Sequence, residues 1–187
     1  MPPRVRYDKE SILQAAIAII REKGPDALNA RAIAKALGCS TQQLFRVFDS
    51  MEDIHHEMLR MAGECFSAYI RRSAELDERP YKGTGMAYIL FAKEEPELFK
   101  LLFMRDRVQE DTEATDDDEN LDYVLEVLQL ATHLCRDQAL RFHQALWIYT
   151  HGLAVMVATH YIAYDQDRIS QLLSDQFQAM CRLFSVS

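Results

Sequence analysis

Cysteine is scarce in this chain: four residues in 187, at positions 39, 65, 135 and 181. They have neither the close spacing of a zinc site nor the density of a secreted disulfide scaffold, so free, mostly buried thiols in a reducing compartment are expected. Long apolar runs are missing too. The stretch Gly152 to Ala158 is far shorter than the ~20 residues that cross a bilayer, and the N-terminal residues lack the apolar core of a signal peptide. The expectation is a cytoplasmic protein with no membrane partner.

Catalytic signatures are equally thin. There is no glycine-rich phosphate loop, no Gly-x-Ser-x-Gly elbow and no His-Glu-x-x-His helix. His55, His56 and Glu57 look like metal ligands, but adjacent residues point about 100° apart on a helix and cannot share an ion as a pair at i and i+4 can. Asp116 to Glu119 lacks the glycine-turned spacing of a calcium loop. No catalytic residue, metal or cofactor is expected. Strict apolar alternation is also absent, and the chain reads as all-α.

The most informative residues are 29 to 48. Asn29 suits an N-cap, Ile33, Ala34 and Leu37 recur at helical spacing, and Gly38 supplies a stop of the kind that positive φ provides. Ser40 then caps a second helix, in which Leu44, Val47 and Phe48 share one face at i, i+3, i+4. Thr41, Gln42, Phe45 and Arg46 lie on the other. Two short helices joined by so tight a turn have the shape of a helix-turn-helix, which sets the N-terminal side chains of its second helix at base edges in the major groove. Gln42 and Gln43 suit that role because a glutamine amide bonds adenine N6 and N7 as a bidentate pair, while Arg46 can reach a phosphate or a guanine. The same pattern also describes a helical hairpin whose outer face is polar because it is wet.

A preceding helix over about residues 8 to 23 carries the apolar stripe Ile12, Leu13, Ala16, Ile17 and Ile20 and ends at Gly24-Pro25, so three helices share one small core. Charge separates along the chain as well. The whole carries 21 basic against 29 acidic residues, but the first 50 hold eight basic and five acidic, a net of +3, and the remainder carries 13 against 24, a net of −11. One end seeks phosphate and the other avoids it. Arg4 and Arg6 are placed to form an arm that reaches the backbone or minor groove, and equally to be a solvated terminus.

Gly24, Asn29, Ile33-Ala34, Gly38, Ser40, Leu44-Phe45, Phe48 and Ser50-Met51-Glu52 follow one another as in the DNA-binding domain of TetR-type transcriptional regulators, which the first 55 or so residues resemble. The resemblance implies an all-α fold with a three-helix DNA-binding domain over residues 1–50 and a helical effector-binding and dimerisation domain over 51–187. It further implies a homodimer on a palindromic double-stranded DNA operator, released by a small-molecule effector. Residues expected at DNA are Asn29, Arg31, Ser40, Thr41, Gln42, Gln43, Phe45 and Arg46. Two positions depart from the family pattern: Phe45 stands where a phosphate-binding tyrosine is usual, and Met51 where a lysine opens the next helix. Losing such contacts lowers affinity without changing the sequence read. A helical partner-binding protein with weak operator affinity is therefore the alternative.

Beyond residue 50 the periodicity predicts helices over Met51–Leu76, Pro80–Glu95, Glu97–Met104, Asn120–Cys135, Asp137–Tyr164 and Arg168–Phe184, with an acidic loop over Arg105–Glu119. In the first of these, Ile54, Met58, Met61, Cys65, Phe66 and Tyr69 are expected to face inward. The helix from Asp137 has no broad polar face and needs cover on more than one side, which argues for dimerisation through the last two helices. Its Trp147 to Leu153 segment, with Pro96-Glu97-Leu98-Phe99 and Leu102-Phe103, resembles the C-terminal domain of the TetR subgroup known for a tryptophan and a His-Gly pair. Trp147 and His151, one turn apart, are candidate cavity residues, with Phe66, Tyr69, Met86, Phe91 and Phe103 as walls. Such a cavity favours an apolar or aromatic effector. The same aromatic and methionine spacing also describes plain core.

Overall fold

A computed structural model describes residues 7–76, 79–106 and 120–186. The arginines of the N-terminal arm, Arg4 and Arg6, and the acidic run 107–119 lie outside the described residues. Among those described there are nine α-helices and no strand: α1 (Lys9–Lys23), α2 (Ala30–Leu37), α3 (Thr41–Leu44), α4 (Met51–Leu76), α5 (Pro80–Glu94), α6 (Pro96–Phe103), α7 (Leu121–Thr132), α8 (Arg136–Ala158) and α9 (Gln166–Leu183). The chain divides into two compact units, residues 1–64 with 95–105 and residues 65–94 with 106–187.

In the first unit, Asp8 caps α1 by accepting from the Ser11 amide at 2.9 Å, and Ile12, Leu13, Ala16, Ile17 and Ile20 are buried. Gly24, at φ 84°, ends the helix. A Cβ there would stand 2.9 Å from Glu97 Oε2, the far end of a flexible side chain that can move aside, so it is the backbone conformation that requires glycine. Gly38, at φ 67°, ends α2 in the left-handed region, and the Cys39 amide donates to the Ala34 carbonyl at 2.9 Å. Ser50 and Asp53 cap α4 reciprocally, each backbone amide donating to the other's side-chain oxygen at 2.9 and 3.0 Å. The short α6 packs on α1, where Arg21 forks onto Glu95 with bonds of 2.9 and 2.7 Å.

Val47 departs from the expected pattern. Leu44 is fully buried and Phe48 nearly so, but Val47 is 37 % exposed. The cause is local: α3 ends at Leu44, and the amides of Val47 and Phe48 both donate to the Leu44 carbonyl in the turn that follows. The i, i+3, i+4 rule holds only while the helix is regular. Ser40 stands at the N-cap of α3, but its hydroxyl makes no cap hydrogen bond; its carbonyl accepts from the Gln43 amide at 3.0 Å.

Along α4 the buried row is Ile54, Met58, Ala62, Phe66 and Ile70, every fourth residue. Met61, Cys65 and Tyr69, expected to face inward with them, are half-buried at its margin. In the second unit Phe142, Leu125, Leu128, Ala139, Leu146 and Met180 form the core. Helix ends shift where left-handed residues intervene. His133, at φ 57°, stops α7 at Thr132 instead of Cys135, its amide donating to the Gln129 carbonyl at 2.8 Å. His160, at φ 56°, stops α8 at Ala158 instead of Tyr164. Histidine is among the side chains that tolerate this region best. The Asp165 carboxylate caps α9 through the Arg168 amide at 2.8 Å, starting that helix two residues early.

Candidate functional site

The first unit presents a polar face around α3. Gln42, Phe45 and Arg46 are exposed, Thr41 and Gln43 half-buried. Arg31 and Lys35 are exposed on α2. Asn29 is exposed, yet its amide is already in use: the oxygen accepts from the Ala32 amide at 3.0 Å and the nitrogen donates to the Ala27 carbonyl at 3.2 Å. Asn29 therefore shapes the turn. Tyr7 ties the start of the chain to α2 by donating to the Leu37 carbonyl at 2.6 Å. With Leu44 and Phe48 turned into the core, the outward side of α3 and of the turn after it carries amides, a hydroxyl and a guanidinium, groups that match base edges and phosphates, beside the exposed apolar side chains of Phe45 and Val47.

The second unit contains a cavity of about 650 Å³, within the ~300–1,000 Å³ that drug-sized ligands occupy. Its walls come from α4 (Phe66, Ile70), α5 (Tyr81, Thr84, Tyr88), α7 (Val124, Val127), α8 (Leu146, Trp147, Thr150) and α9 (Phe177). Of the seven residues expected at a cavity, Phe66 and Trp147 line this one. The others stand elsewhere for visible reasons. Phe91 is fully buried between the rings of Phe66 and Tyr69 at 5.3 and 5.4 Å, and the Tyr69 hydroxyl donates to Glu94 Oε2 at 2.8 Å. Phe103 belongs to the first unit and packs on Phe99 at 5.1 Å. Met86 borders a separate recess of about 340 Å³.

His151 acts on the wall from behind. It stacks on Trp147 with ring centroids 5.1 Å apart and planes at 20°, and its Nδ1 lies 2.9 Å from the hydroxyl of Tyr88, which does line the cavity. A second pair repeats the arrangement two turns away, with His143 Nδ1 3.1 Å from the Tyr81 hydroxyl. Sequence reasoning missed Tyr81, Tyr88 and His143. A signal was present, since the tyrosines are seven residues apart on one helix and the histidines eight apart on another. Burial pushes the Tyr81 phenol well up and keeps it protonated.

Burial also holds the His151 imidazole below its ordinary 6.5. His55 in the first unit is lowered likewise, by burial first and then by Arg105 and His56. Because the unfolded chain takes up these protons first, stability is complete above pH 6.5 and declines as pH falls through and below that value. His151→Gln is expected to reduce this decline, leaving the His55 share. Urea unfolding at about pH 7.5 and about pH 5.5 measures it; an unchanged pH difference would contradict the assignment.

Comparison with known proteins meets the geometry at both units. Residues 12–58 match the family model of bacterial regulatory proteins of the tetR family, and residues 82–179 match the tetracyclin repressor-like C-terminal domain. The chain belongs to the TetR family. It is accordingly a transcriptional regulator of a DNA-binding, non-enzymatic class. The C-terminal match is to the tetracyclin repressor-like domain, which leaves the likeness to the tryptophan and His-Gly subgroup at the level of the Trp147–Leu153 segment.

No curated protein matches the chain. Among solved structures it is similar to a TetR-like transcriptional regulator from Rhodococcus sp. RHA1, at 17% identity over 95% of this chain and 96% of that one, with a TM-score of 0.69. It is also similar to a protein of unknown function from Rhodococcus sp. RHA1, at 19% identity over 95% and 97%, TM-score 0.75. A third likeness is to the multidrug binding protein EbrR complexed with ethidium, at 18% identity over 94% and 99%, TM-score 0.61. At these identities the likeness is one of TetR fold. Among the described residues no helix is long and apolar enough to cross a membrane.

Proposed function

We propose that this TetR-family regulator is a ligand-responsive repressor that binds a palindromic operator in the cytoplasm as a homodimer and is released by a small apolar or aromatic effector. Residues 1–50 are the DNA-binding domain in this reading and residues 51–187 the effector-binding and dimerisation domain. The observation that carries it is the coexistence of an outward polar α3 with a 650 Å³ aromatic-walled cavity in the other unit. The ligand-bound state of the structurally similar EbrR supports the effector role. Dimerisation through α8 and α9 is supported by Ile148 at 66 % and Leu183 at 73 % exposure, with open space around exposed Gly152, since large exposed apolar side chains on neighbouring helices mark contact surfaces. Two reading helices about 34 Å apart meet successive major grooves, and an effector that favours another spacing shifts the population away from the DNA-bound form.

Gln42, Gln43 and Thr41 are assigned to base edges, Arg46, Arg31 and Ser40 to phosphates or a guanine, Phe45 to the groove wall and Asn29 to the turn that holds them. Gln42→Ala and Arg46→Ala are each expected to weaken a selected operator by about 5- to 150-fold, the equivalent of ~1–3 kcal/mol per lost pair. Gln42→Ala relaxes preference at one base position, whereas loss of a phosphate contact by Arg46→Ala weakens all sequences alike. Gel shift on DNA upstream of the protein's own gene, and on sequences drawn from unbiased selection, tests this. Absence of any specific band at low salt would favour the partner-binding alternative.

A further inference from the structure

Phe45 is 43 % exposed and Val47 nearly as open, on a surface where Gln42 and Arg46 are exposed too. The Phe45 amide donates to the Thr41 carbonyl at 3.2 Å, an i to i−4 bond that carries the helical screw one residue past α3. Phe45 therefore stands one turn on from Thr41 and Gln42, about 100° round the axis from the buried Leu44. Val47 follows in the turn, its amide donating to the Leu44 carbonyl at 2.9 Å. Arg31 and Lys35 are exposed on α2, the helix on which α3 packs. Two apolar side chains thus sit in water amid cationic and amide groups that suit DNA.

We propose that Phe45 and Val47 read thymine: the ring and the isopropyl group lie against C5-methyl groups in the major groove, so the operator half-site carries A·T pairs beneath α3 and the turn after it. This rests on α3 being the element that reads the operator. A phenylalanine ring has no donor for a phosphate oxygen, and what it gains at DNA comes from removing carbon surface from water. Among base edges in the major groove the methyl group belongs to thymine, so A·T pairs offer that surface and G·C pairs do not. Cytosine in the same place presents an amino donor, which a ring leaves without an acceptor. Gln42 and Gln43 point the same way, because a glutamine amide fits N6 and N7 of adenine, the base that pairs with thymine. Amide and ring therefore select one kind of base pair from its two strands.

Deoxyuridine pairs as thymidine does and lacks only the 5-methyl group, so it isolates the contact. Full-length protein is titrated by fluorescence anisotropy, at fixed salt, with an operator drawn from unbiased selection in which each thymine is replaced in turn by deoxyuridine. Loss of one buried methyl is expected to weaken binding about fourfold at the thymines that meet Phe45 and Val47, equally in both half-sites, and to change nothing elsewhere. In Phe45→Ala the thymine-to-uracil affinity ratio at its position should fall from about four to about one, whereas Phe45→Leu, which keeps carbon surface, retains part of it. A side chain that merely supports the turn would lower affinity for both duplexes and leave the ratio as it was. Ratios near one at every thymine, or ratios that survive both Phe45→Ala and Val47→Ala, overturn the thymine assignment, and specific operator binding then leaves the reading of α3 standing. If selection at low salt yields no specific operator, the thymine assignment falls together with that reading, in favour of the partner-binding alternative.

Discussion

Phe142→Ala is expected to lower the unfolding free energy by about 3–5 kcal/mol, the cost of emptying a buried phenylalanine site. The side chain is fully buried, meets Phe177 edge-on at 5.4 Å and tilts against Phe184 at 5.3 Å, so α8 loses its contact with both the middle and the end of α9. Aromatic pairs of this geometry contribute beyond their buried area, by about 0.5–1.5 kcal/mol each. Phe142→Leu, which refills most of the volume, should recover much of the loss. Thermal and urea unfolding measure both. A change below ~1 kcal/mol for the alanine variant would mean that the core around α8 is not packed as described.

Leu44→Ala carries the second large effect. Leu44 is the buried end of α3, fully inaccessible, and truncation of such a leucine costs about 2–5 kcal/mol. The consequence is more specific than a lower melting temperature. Leu44 anchors a helix of only four residues, too short to form by itself, so the side chain is what holds Gln42 and Gln43 in register. Operator binding should fall below detection in a gel shift, and the Trp147 emission of the folded second unit should remain. Retained operator affinity in a destabilised Leu44→Ala protein would show that α3 is positioned by something else.

Much of the fold was legible because regular helices announce themselves by period. The bounds of α4 are those expected, since Ser50 and Asp53 spell a capping box and the apolar row continues unbroken behind it. Periodicity failed where a single left-handed residue interrupts it. Nothing in the run to Tyr164 signals that His160 will turn to positive φ, because histidine carries no obligatory preference for that region. Val47 was misread for a related reason: a face rule was extended through a segment that had ceased to be helical.

For the cavity, composition pointed to aromatic walls without distinguishing a ring that lines space from one that fills it. Phe66 and Phe91 are chemically alike and in contact, yet Phe66 lines the cavity and Phe91 does not. That difference lies in which neighbours surround each ring, information carried by tertiary packing alone. Tyr81, Tyr88 and His143 escaped because a hydrogen-bonded pair between two helices depends on which helices are neighbours, and period within one helix does not say so.

The placement of α6 has a bearing on how this regulator can be taken apart. Arg21 grips Glu95, and the Glu97 carboxylate lies against the Gly24 corner, so the DNA-reading unit includes eleven residues from far along the chain. A hybrid made by splicing residues 1–64 onto a foreign sensor would leave behind the piece that covers α1. Modular exchange in this protein has to carry residues 95–105, with α6, along with residues 1–64.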